Sequence, residues 1–539
     1  MAAKVKKEKR IEEALWDSCN ALRGSVDSSE YKHIVLSLVF LKFANDKFNE
    51  RRQELIDENK EKYLEIVEFY TMKNVFYIPE KARWQYIMDN AKQDDIKVKI
   101  DTALSTIEGC NKSLKGALPD NYYSRLESLE PSNLASLLDE INKINTVKDK
   151  SEDIIGRVYE FFLKKFALAE GKGKGEFYTP KCVVNLIAEL IQPYKGKIYD
   201  PACGSGGMFV QSIKFVEKHH GNKKDVSIYG QEKNATTYKL AKMNLAIRGI
   251  SADLGEKPTS TFTDDQHRDL KADFIMANPP FNQSSWRAED ELLNDERWDG
   301  YEVPPTGNAN YGWILNMVSK LNSDGVAGFL LANGSLNGGG DEYKIRKRLI
   351  ENHLVDAILY LPRNLFYTTD IGVSLWILSR NKKQRTIEID GVPTVLRNRE
   401  NEILFMDLRK WGSPFEKKYI ELTDNDDPEN LGDIQKIVKT YHDWASVEGF
   451  KNYADVPEYC ASVKIVADDL KDKVLKDFSL VPSEYIEFKN RDENVNFDER
   501  MKELSGELKD LFEKDNSSKT EIKNILRELG YPIDGEDDE

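Results

Sequence analysis

Long apolar runs are missing from this chain. The longest near-continuous one, Ile34 to Leu41 interrupted by Ser37, falls far short of the roughly 20 residues a membrane-spanning helix needs. Cysteine is equally sparse. Cys19, Cys110, Cys182, Cys203 and Cys460 are dispersed, odd in number and without CxxC spacing. That pattern argues against a disulfide framework or a zinc site and for a reducing, cytoplasmic setting. Lys4, Lys6, Lys7, Lys9 and Arg10 are followed by no apolar segment, so no secretory leader is expected. A basic excess is absent too: 78 Lys and Arg face 93 Asp and Glu, a net charge of −15. A protein that grips nucleic acid unaided carries a basic face. Local clusters survive at Lys164-Lys165, at Lys172 and Lys174, and from Lys344 to Arg348. A polyanionic substrate would therefore be held partly by another chain.

What is present is a globular composition, 40% hydrophobic and 32% charged over 539 residues, enough for two to four domains. Residues 1–150 read as helical. Ile11, Ala14, Leu15, Cys19 and Leu22 recur at helical spacing, as do Ile34, Leu38 and Leu41, and Arg51 to Lys62 has the mixed charge of a solvated helix. A contact domain and a plain scaffold both fit that pattern. From Asp153 the texture changes. An apolar stripe (Ile154, Val158, Phe161, Phe162, Phe166) leads into the loop Gly171-Lys172-Gly173-Lys174-Gly175 and then Glu176-Phe177-Tyr178-Thr179-Pro180. Pro180 suits the first turn of a helix over Cys182 to Ile191, with Thr179 as its cap. That helix start could equally hold a carboxylate-bearing ligand.

A short strand, Lys197 to Tyr199, runs into Asp200-Pro201-Ala202-Cys203-Gly204-Ser205-Gly206-Gly207-Met208 and a helix from Phe209 to His219. Strand, small-residue loop and helix make a nucleotide-binding unit, in which glycines let backbone approach a ligand closely. The spacing is not the dinucleotide GxGxxG, and Asp200 disfavours a pyrophosphate while tolerating an ammonium group. The next strand, Val226 to Gln231, ends at Glu232, well placed to accept two ribose hydroxyls or else simply exposed. After a polar loop comes the apolar run Ala272 to Ala277, ended by Asn278-Pro279-Pro280-Phe281. Two prolines stop a strand ladder, and the loop beyond such a strand is where ligands bind. The Asn278 side-chain carbonyl and the Pro279 backbone carbonyl can both accept from one exocyclic amino group, and Phe281 offers a face for a planar base. The bland alternative is a strand-ending turn with Phe281 in the core.

Asp200 to Met208 resembles the cofactor loop of S-adenosylmethionine enzymes, with Ala202 in place of a first glycine. Together with Asn278 to Phe281 it resembles the amino-directed DNA methyltransferases, in the variant where Glu176 to Pro180 precedes the glycine loop. The helical first third, Gly156 to Pro180, Gly325 to Leu336 and Leu361 to Phe366 are similar to modification subunits of type I restriction–modification systems. The resemblance implies an α/β fold: a seven-stranded Rossmann-like methyltransferase sheet with an N-terminal helical domain (1–150), a catalytic domain (151–400) and a mostly helical C-terminal extension (401–539). It implies S-adenosyl-L-methionine held by Glu176, Phe177, Tyr178, Thr179, Pro180, Asp200, Gly204, Ser205, Gly206, Gly207, Glu232 and Asn278, with catalysis by Asn278, Pro279, Pro280 and Phe281 and no metal. The target would be the N6 amino group of adenine in double-stranded DNA. The partners would be a specificity subunit, with two methyltransferase subunits to each, and a translocating restriction nuclease subunit, in a bacterial or archaeal cytoplasm.

One departure stands out. Family members often carry an acidic residue after the third strand, facing the cofactor adenine. Here the stretch is Thr259-Ser260-Thr261-Phe262, leaving Ser260 or Asp264 for that contact. Only a short polar loop separates Phe281 from Gly307, too short for a sequence-reading insert, which again puts recognition on a separate chain. Helices are expected over Lys464 to Lys476 and Phe497 to Phe512, the latter suited to a partner coiled coil, and an acidic tail over Asp534 to Glu539. Glu493-Asn494-Val495 matches a tripeptide of cytosine-C5 methyltransferases but lacks their Pro-Cys loop. N4-cytosine methylation, methylation of RNA or of a glutamine side chain, and a non-catalytic cofactor-binding subunit remain as alternatives.

Overall fold

The computed structural model describes residues 16, 28–143, 154–170, 179–367, 369–389, 391–416, 418–467, 469, 472–488, 497–529 and 531. Among the described residues of the first 143 there is no strand, as the helical spacing predicts. The described residues of this part form helices α1 (Ser28–Asp57), α2 (Ile96–Cys110), α3 (Pro131–Asn142) and α4 (Ile154–Glu170), with short helical turns between the first three. They share one core: Ile34, Leu38, Leu41 and Phe48 of α1 meet Ile100 and Leu104 of α2, Leu134 and Leu138 of α3, and Phe162 and Phe166 of α4.

Beyond α4, helices α5 (Lys181–Ile191), α6 (Gly207–Lys218), α7 (Ala235–Ile247), α8 (Asn310–Lys320), α9 (Gly340–Glu351) and α10 (Asp433–Ala445) surround a sheet. Its strands β1 (Gly196–Asp200), β2 (Val226–Gly230), β3 (Ala252–Asp253), β4 (Ala272–Ala277), β5 (Leu321–Ala332), β6 (Val355–Tyr360) and β7 (Val373–Ser379) lie in the order β3-β2-β1-β4-β5-β7-β6. The first five pair in parallel, and β7 runs antiparallel between β5 and β6. This is the expected seven-stranded sheet, and two more strands widen it to nine. β8 (Glu402–Asp407) pairs in parallel with β6, and β9 (Cys460–Lys464) pairs antiparallel with β8. Both come from beyond residue 400, so part of the stretch read as a helical extension belongs to the central sheet.

Strands β5 to β8 read as near-unbroken apolar runs because helices cover both faces. Phe329, Leu331, Ile358, Trp376 and Phe405 face the layer of α8 and α9. Their neighbours Leu330, Leu359, Leu375, Ile377 and Met406 face α5 and α10. Helix α7 is buried on two sides: Leu240 and Met243 enter the N-terminal helical core, and Tyr238, Ala241 and Leu245 pack towards β1 and β2. The helix expected over Lys464 to Lys476 does not form among the described residues. Lys464 closes β9, and the chain then loops back so that Lys464 N donates to Lys473 O and Leu475 N to Lys464 O. Pairing to the sheet edge outweighs the local helical spacing. Glu493-Asn494-Val495 and Asp534 to Glu539 lie outside the described residues.

The chain divides into two compact units, Met1–Ile486 and Glu487–Glu539. In the second, α11 (Phe497–Glu528) is twice as long as the sequence reading proposed. Among the described residues no helix is long and apolar enough to cross a membrane.

A fully buried charge network ties β6 to the strands and helix around it. Asp356 accepts from Arg399 Nε and Nη2, both at 3.2 Å, and from Tyr441 Oη at 2.8 Å, with Lys382 Nζ 3.8 Å away. Burial acts to raise the Asp356 carboxyl, but Arg399 and Lys382 hold it below the usual carboxylate range. Removing one member strands the others. Asp356→Ala is expected to lower the unfolding free energy of the chain by about 3–5 kcal/mol in denaturant titration; a loss within the scatter of a surface substitution would refute this.

Candidate active site

Three parallel strands end side by side on one edge of the sheet: β1 at Asp200, β2 before Gln231-Glu232, and β4 before Asn278. Strand order reverses between β1 and β4, and in open α/β sheets the strand ends at such a reversal are where ligands bind.

The loop after β1 is tied to the end of β2. Gln231 N donates to Asp200 O, and Cys203 N donates to Gln231 O. Gly204 (φ +53°) and Gly206 (φ +78°) take left-handed conformations that favour glycine. Gly204 N donates to Glu232 Oε2 at 3.0 Å, and Asn234 N to Glu232 Oε1 at 2.7 Å. The Asn234 side chain caps α7, so Glu232 links the glycine loop to a helix start. Ser205 O accepts from Asn244 Nδ2 at 2.7 Å. A Cβ placed on Gly206 would touch Leu245 at 3.4 Å, whereas one on Gly204 or Gly207 would meet nothing within 4 Å. The loop is thus packed down at one glycine and open at the two that flank it.

Two acidic side chains sit beneath this opening, and neither pairs with a cation among the described residues. Asp200 is 1% exposed, and its Oδ1 accepts from Ala202 N at 2.9 Å. Burial pushes the Asp200 carboxyl up to about 8, against the pull of the Ala202 amide and with added repulsion from Glu232. Burial also raises Glu232, although the amides of Asn234, Gly204 and Lys233 oppose the shift.

At the end of β4, Asn278 is 8% exposed. Its Nδ2 donates to Thr179 Oγ1 at 2.9 Å, and its Oδ1 is buried with no hydrogen-bond partner among the described residues. Thr179 does not cap α5 as the sequence suggests. Pro180 is the N-cap residue, no side chain caps the helix, and Pro180 O accepts from Val183 N and Val184 N. Pro279 is buried, Pro280 half-buried, and Phe281 lies in the core cluster with Phe366 edge-on at 5.8 Å and 89°. The chain then turns through Asn282 (φ +50°), whose N donates to Asn310 Oδ1 at 3.2 Å and whose Oδ1 accepts from Asn310 Nδ2 at 3.0 Å. That pair pins the Asn278 loop to the first turn of α8. Glu176, Phe177 and Tyr178 lie outside the described residues.

The loop after β3 runs alongside. Thr259 N donates to Glu232 O, and Thr261 Oγ1 to Pro201 O at 2.5 Å. Of the two candidates there, Ser260 Oγ accepts from Phe262 N at 3.3 Å, while Asp264 pairs with exposed Lys257 at 3.0 Å. Two residues that sequence reasoning passed over hold this loop. Gln231 Nε2 donates to Thr259 O at 3.3 Å and Asp264 O at 2.7 Å. Buried Arg297 donates to Thr261 O at 2.8 Å and Phe262 O at 2.7 Å, and pairs with Asp295 at 2.7 Å. Gln231 adjoins Glu232 and was within reach of a sequence reading. Arg297 sits in a polar loop and carries no such signal. A separate groove of about 1530 Å³ lies between the helical region and α7, lined by Lys112, Lys115, Lys239 and Lys242 but also by Glu68 and Glu108.

Residues 150–494 match the N-6 DNA methylase family, and residues 11–141 match the HsdM N-terminal domain. The chain is 38% identical over 476 residues to the type I restriction enzyme HindI methylase subunit of Haemophilus influenzae, covering 84% of this chain and 100% of that protein. It is 34% identical over 549 residues to the type I restriction enzyme MjaIX methylase subunit of Methanocaldococcus jannaschii, covering 97% and 92%. Its fold is similar to that of the type I restriction-modification system methyltransferase subunit from Streptococcus thermophilus, with a TM-score of 0.68 at 22% identity, over 88% of this chain and 99% of that one.

The lone buried carboxyl of Asp200 makes a pH prediction. In an unfolded chain an aspartate ionises near about 3.9. With the folded value at about 8, the folded protein keeps a proton across the interval between them that the unfolded chain has released. Its stability therefore falls as pH rises through that interval. Asp200→Asn, measured without ligand, is expected to melt close to wild type at pH 4 and several degrees above it at pH 8. A gap that does not widen with pH would sink the assignment.

Proposed function

The chain belongs to the N-6 DNA methylase family and is a methylase subunit of the type I restriction–modification kind; on that premise we propose that it methylates the N6 amino group of an adenine flipped from duplex DNA, using S-adenosyl-L-methionine. The observation that carries this reading is the unpartnered Oδ1 of Asn278 at the end of β4. A buried acceptor without a partner is costly unless something donates to it. An exocyclic amino group does so, with the Pro279 carbonyl as the second acceptor. Held at both N–H bonds, the amino nitrogen directs its lone pair away from the two oxygens. As the nitrogen takes a methyl group and gains positive charge, Asn278 Oδ1 and Pro279 O stabilise that charge where it develops. Phe281 and Phe366 give the base an aromatic wall, which helps offset the few kcal/mol of unstacking.

The residues at β1 and β2 fit the cofactor. Gly204 and Gly207 face open space that a ligand can fill. Burial raises Asp200 and Glu232 although backbone amides donate to both; an amino-acid ammonium and a ribose diol would add charge and donors that oppose the shift. When bound, S-adenosylmethionine supplies a sulfonium-activated methyl group. The chain contributes orientation and water exclusion, and proximity provides much of the rate.

Partners follow from the second unit. Along α11, Met501, Leu504, Leu508, Leu511, Ile522 and Ile525, with Leu529 just past its end, are all exposed at alternating three- and four-residue steps, with Asp515 and Ser518 filling the one interrupted layer. This is the seam of a helix made for a coiled-coil partner, which we assign to the specificity subunit. Between Phe281 and Gly307 the chain only loops back onto its own core, through Trp286 on Phe262 (4.4 Å between rings) and Trp286 Nε1 to Pro305 O (2.8 Å). No reading element is inserted there. A restriction subunit would complete the larger assembly.

The test is transfer of labelled methyl to duplex DNA by the chain together with its specificity partner. Wild type should modify adenine N6. Asn278→Ala should lower turnover by about 10²-fold or more, with cofactor affinity in calorimetry changed less than about threefold. Near-wild-type turnover of that variant would overturn the reading. The paired change Leu508→Asp and Leu511→Asp should abolish co-purification with the specificity subunit and leave cofactor affinity intact; retained assembly would refute the α11 seam.

A further inference from the structure

Resting on the reading that Asn278 accepts the target amino group, we infer that Thr179 is a positioning residue that sets which way the Asn278 amide faces. A primary amide keeps its shape when its oxygen and nitrogen change places, and only its hydrogen-bond partners distinguish the two orientations. With Oδ1 towards the base, acceptor meets donor. In the opposite orientation two N–H groups confront the N–H bonds of the adenine amino group, and neither finds an acceptor. Thr179 makes the choice: Asn278 Nδ2 donates to Thr179 Oγ1 at 2.9 Å, which turns the unpartnered Oδ1 outward.

A hydroxyl donates as well as accepts, so the choice also depends on where the Thr179 proton goes. Thr179 is not spent on the helix, since Pro180 is the N-cap residue and α5 has no side-chain cap. Among the described residues its only hydrogen bond is the one to Asn278. Among the described residues nothing accepts that proton, and the cofactor's carboxylate is of the right chemistry to do so. With the proton committed there, Oγ1 has only lone pairs to offer Nδ2. The orientation of Asn278 is then locked, so cofactor occupancy prepares the amide for the base.

The experiment uses the complex with its specificity partner, S-adenosylhomocysteine as the methyl-free probe, and duplexes carrying the methylated site with either adenine or purine at the target. Purine lacks the amino group and so reports that contact alone. Wild type and Thr179→Ser should bind the adenine duplex about 10-fold more tightly than the purine duplex when the probe is present, and less selectively without it. Thr179→Val, at saturating probe, should bring the preference near one and weaken the probe by about the tenfold that one hydrogen bond to a carboxylate is worth, while affinity for the purine duplex stays within about threefold. A preference that survives in Thr179→Val overturns the assignment. So does a Thr179→Val variant whose affinity for the probe collapses with selectivity intact, which would make Thr179 a cofactor contact only. Absence of any adenine preference in wild type would instead fell the reading of Asn278, and this inference with it.

Discussion

Burying Asn278 at the end of β4 leaves an amide oxygen with no partner among the described residues, and an orphaned acceptor of this kind costs roughly 1–3 kcal/mol. The fold carries that strain because everything around it is overdetermined. β4 is paired on both sides, Pro279 and Pro280 forbid its continuation, and Asn282 is hydrogen-bonded twice to Asn310 at the start of α8. Thr179 reaches across from the start of α5 to take the amide's other end. The acceptor cannot relax inward, so among the described residues it stays without a donor.

The acidic groups divide along the same line. Asp356 is as deeply buried as Asp200, yet it is held low by Arg399 and Lys382 and closed by Tyr441. Asp200 receives one backbone amide and the repulsion of Glu232, and burial drives it up. One network is satisfied from within and stabilises a particular packing of β6, β8 and α10. The other has no cation beside it among the described residues. Unsatisfied polarity at the carboxyl edge of the sheet, set against satisfied polarity elsewhere, is what distinguishes a site from a core.

The division between units has a similar logic. The first unit has apolar cores shared from α1 to β9, and α7 serves the helical region and the sheet at once. The second presents a long helix whose apolar stripe lies bare among the described residues. An exposed seam of that length is a liability unless a partner covers it. It also agrees with a net charge of −15, unsuited to gripping DNA alone.

Much of this was legible in the sequence. The apolar helical stripe after residue 153, the glycine loop after β1, the acidic end of β2 and the proline stop after β4 are local signals. Each is carried by covalent preference: glycine for positive φ, proline for the missing donor, apolar runs for double-sided burial. Where packing competes with local preference, local reading failed. Lys464 to Lys476 has helical spacing but is drawn into pairing at the sheet edge, and β8 and β9 were hidden because a short apolar run does not by itself announce a strand. Residue types and order thus determined the class of fold and the place of the candidate site along the chain. Which atoms meet was decided only in three dimensions. The Thr179–Asn278 bond, the Gly204–Glu232 bond and the Arg297 brace join residues 99, 28 and 36 positions apart, and no local preference encodes a contact across such a separation.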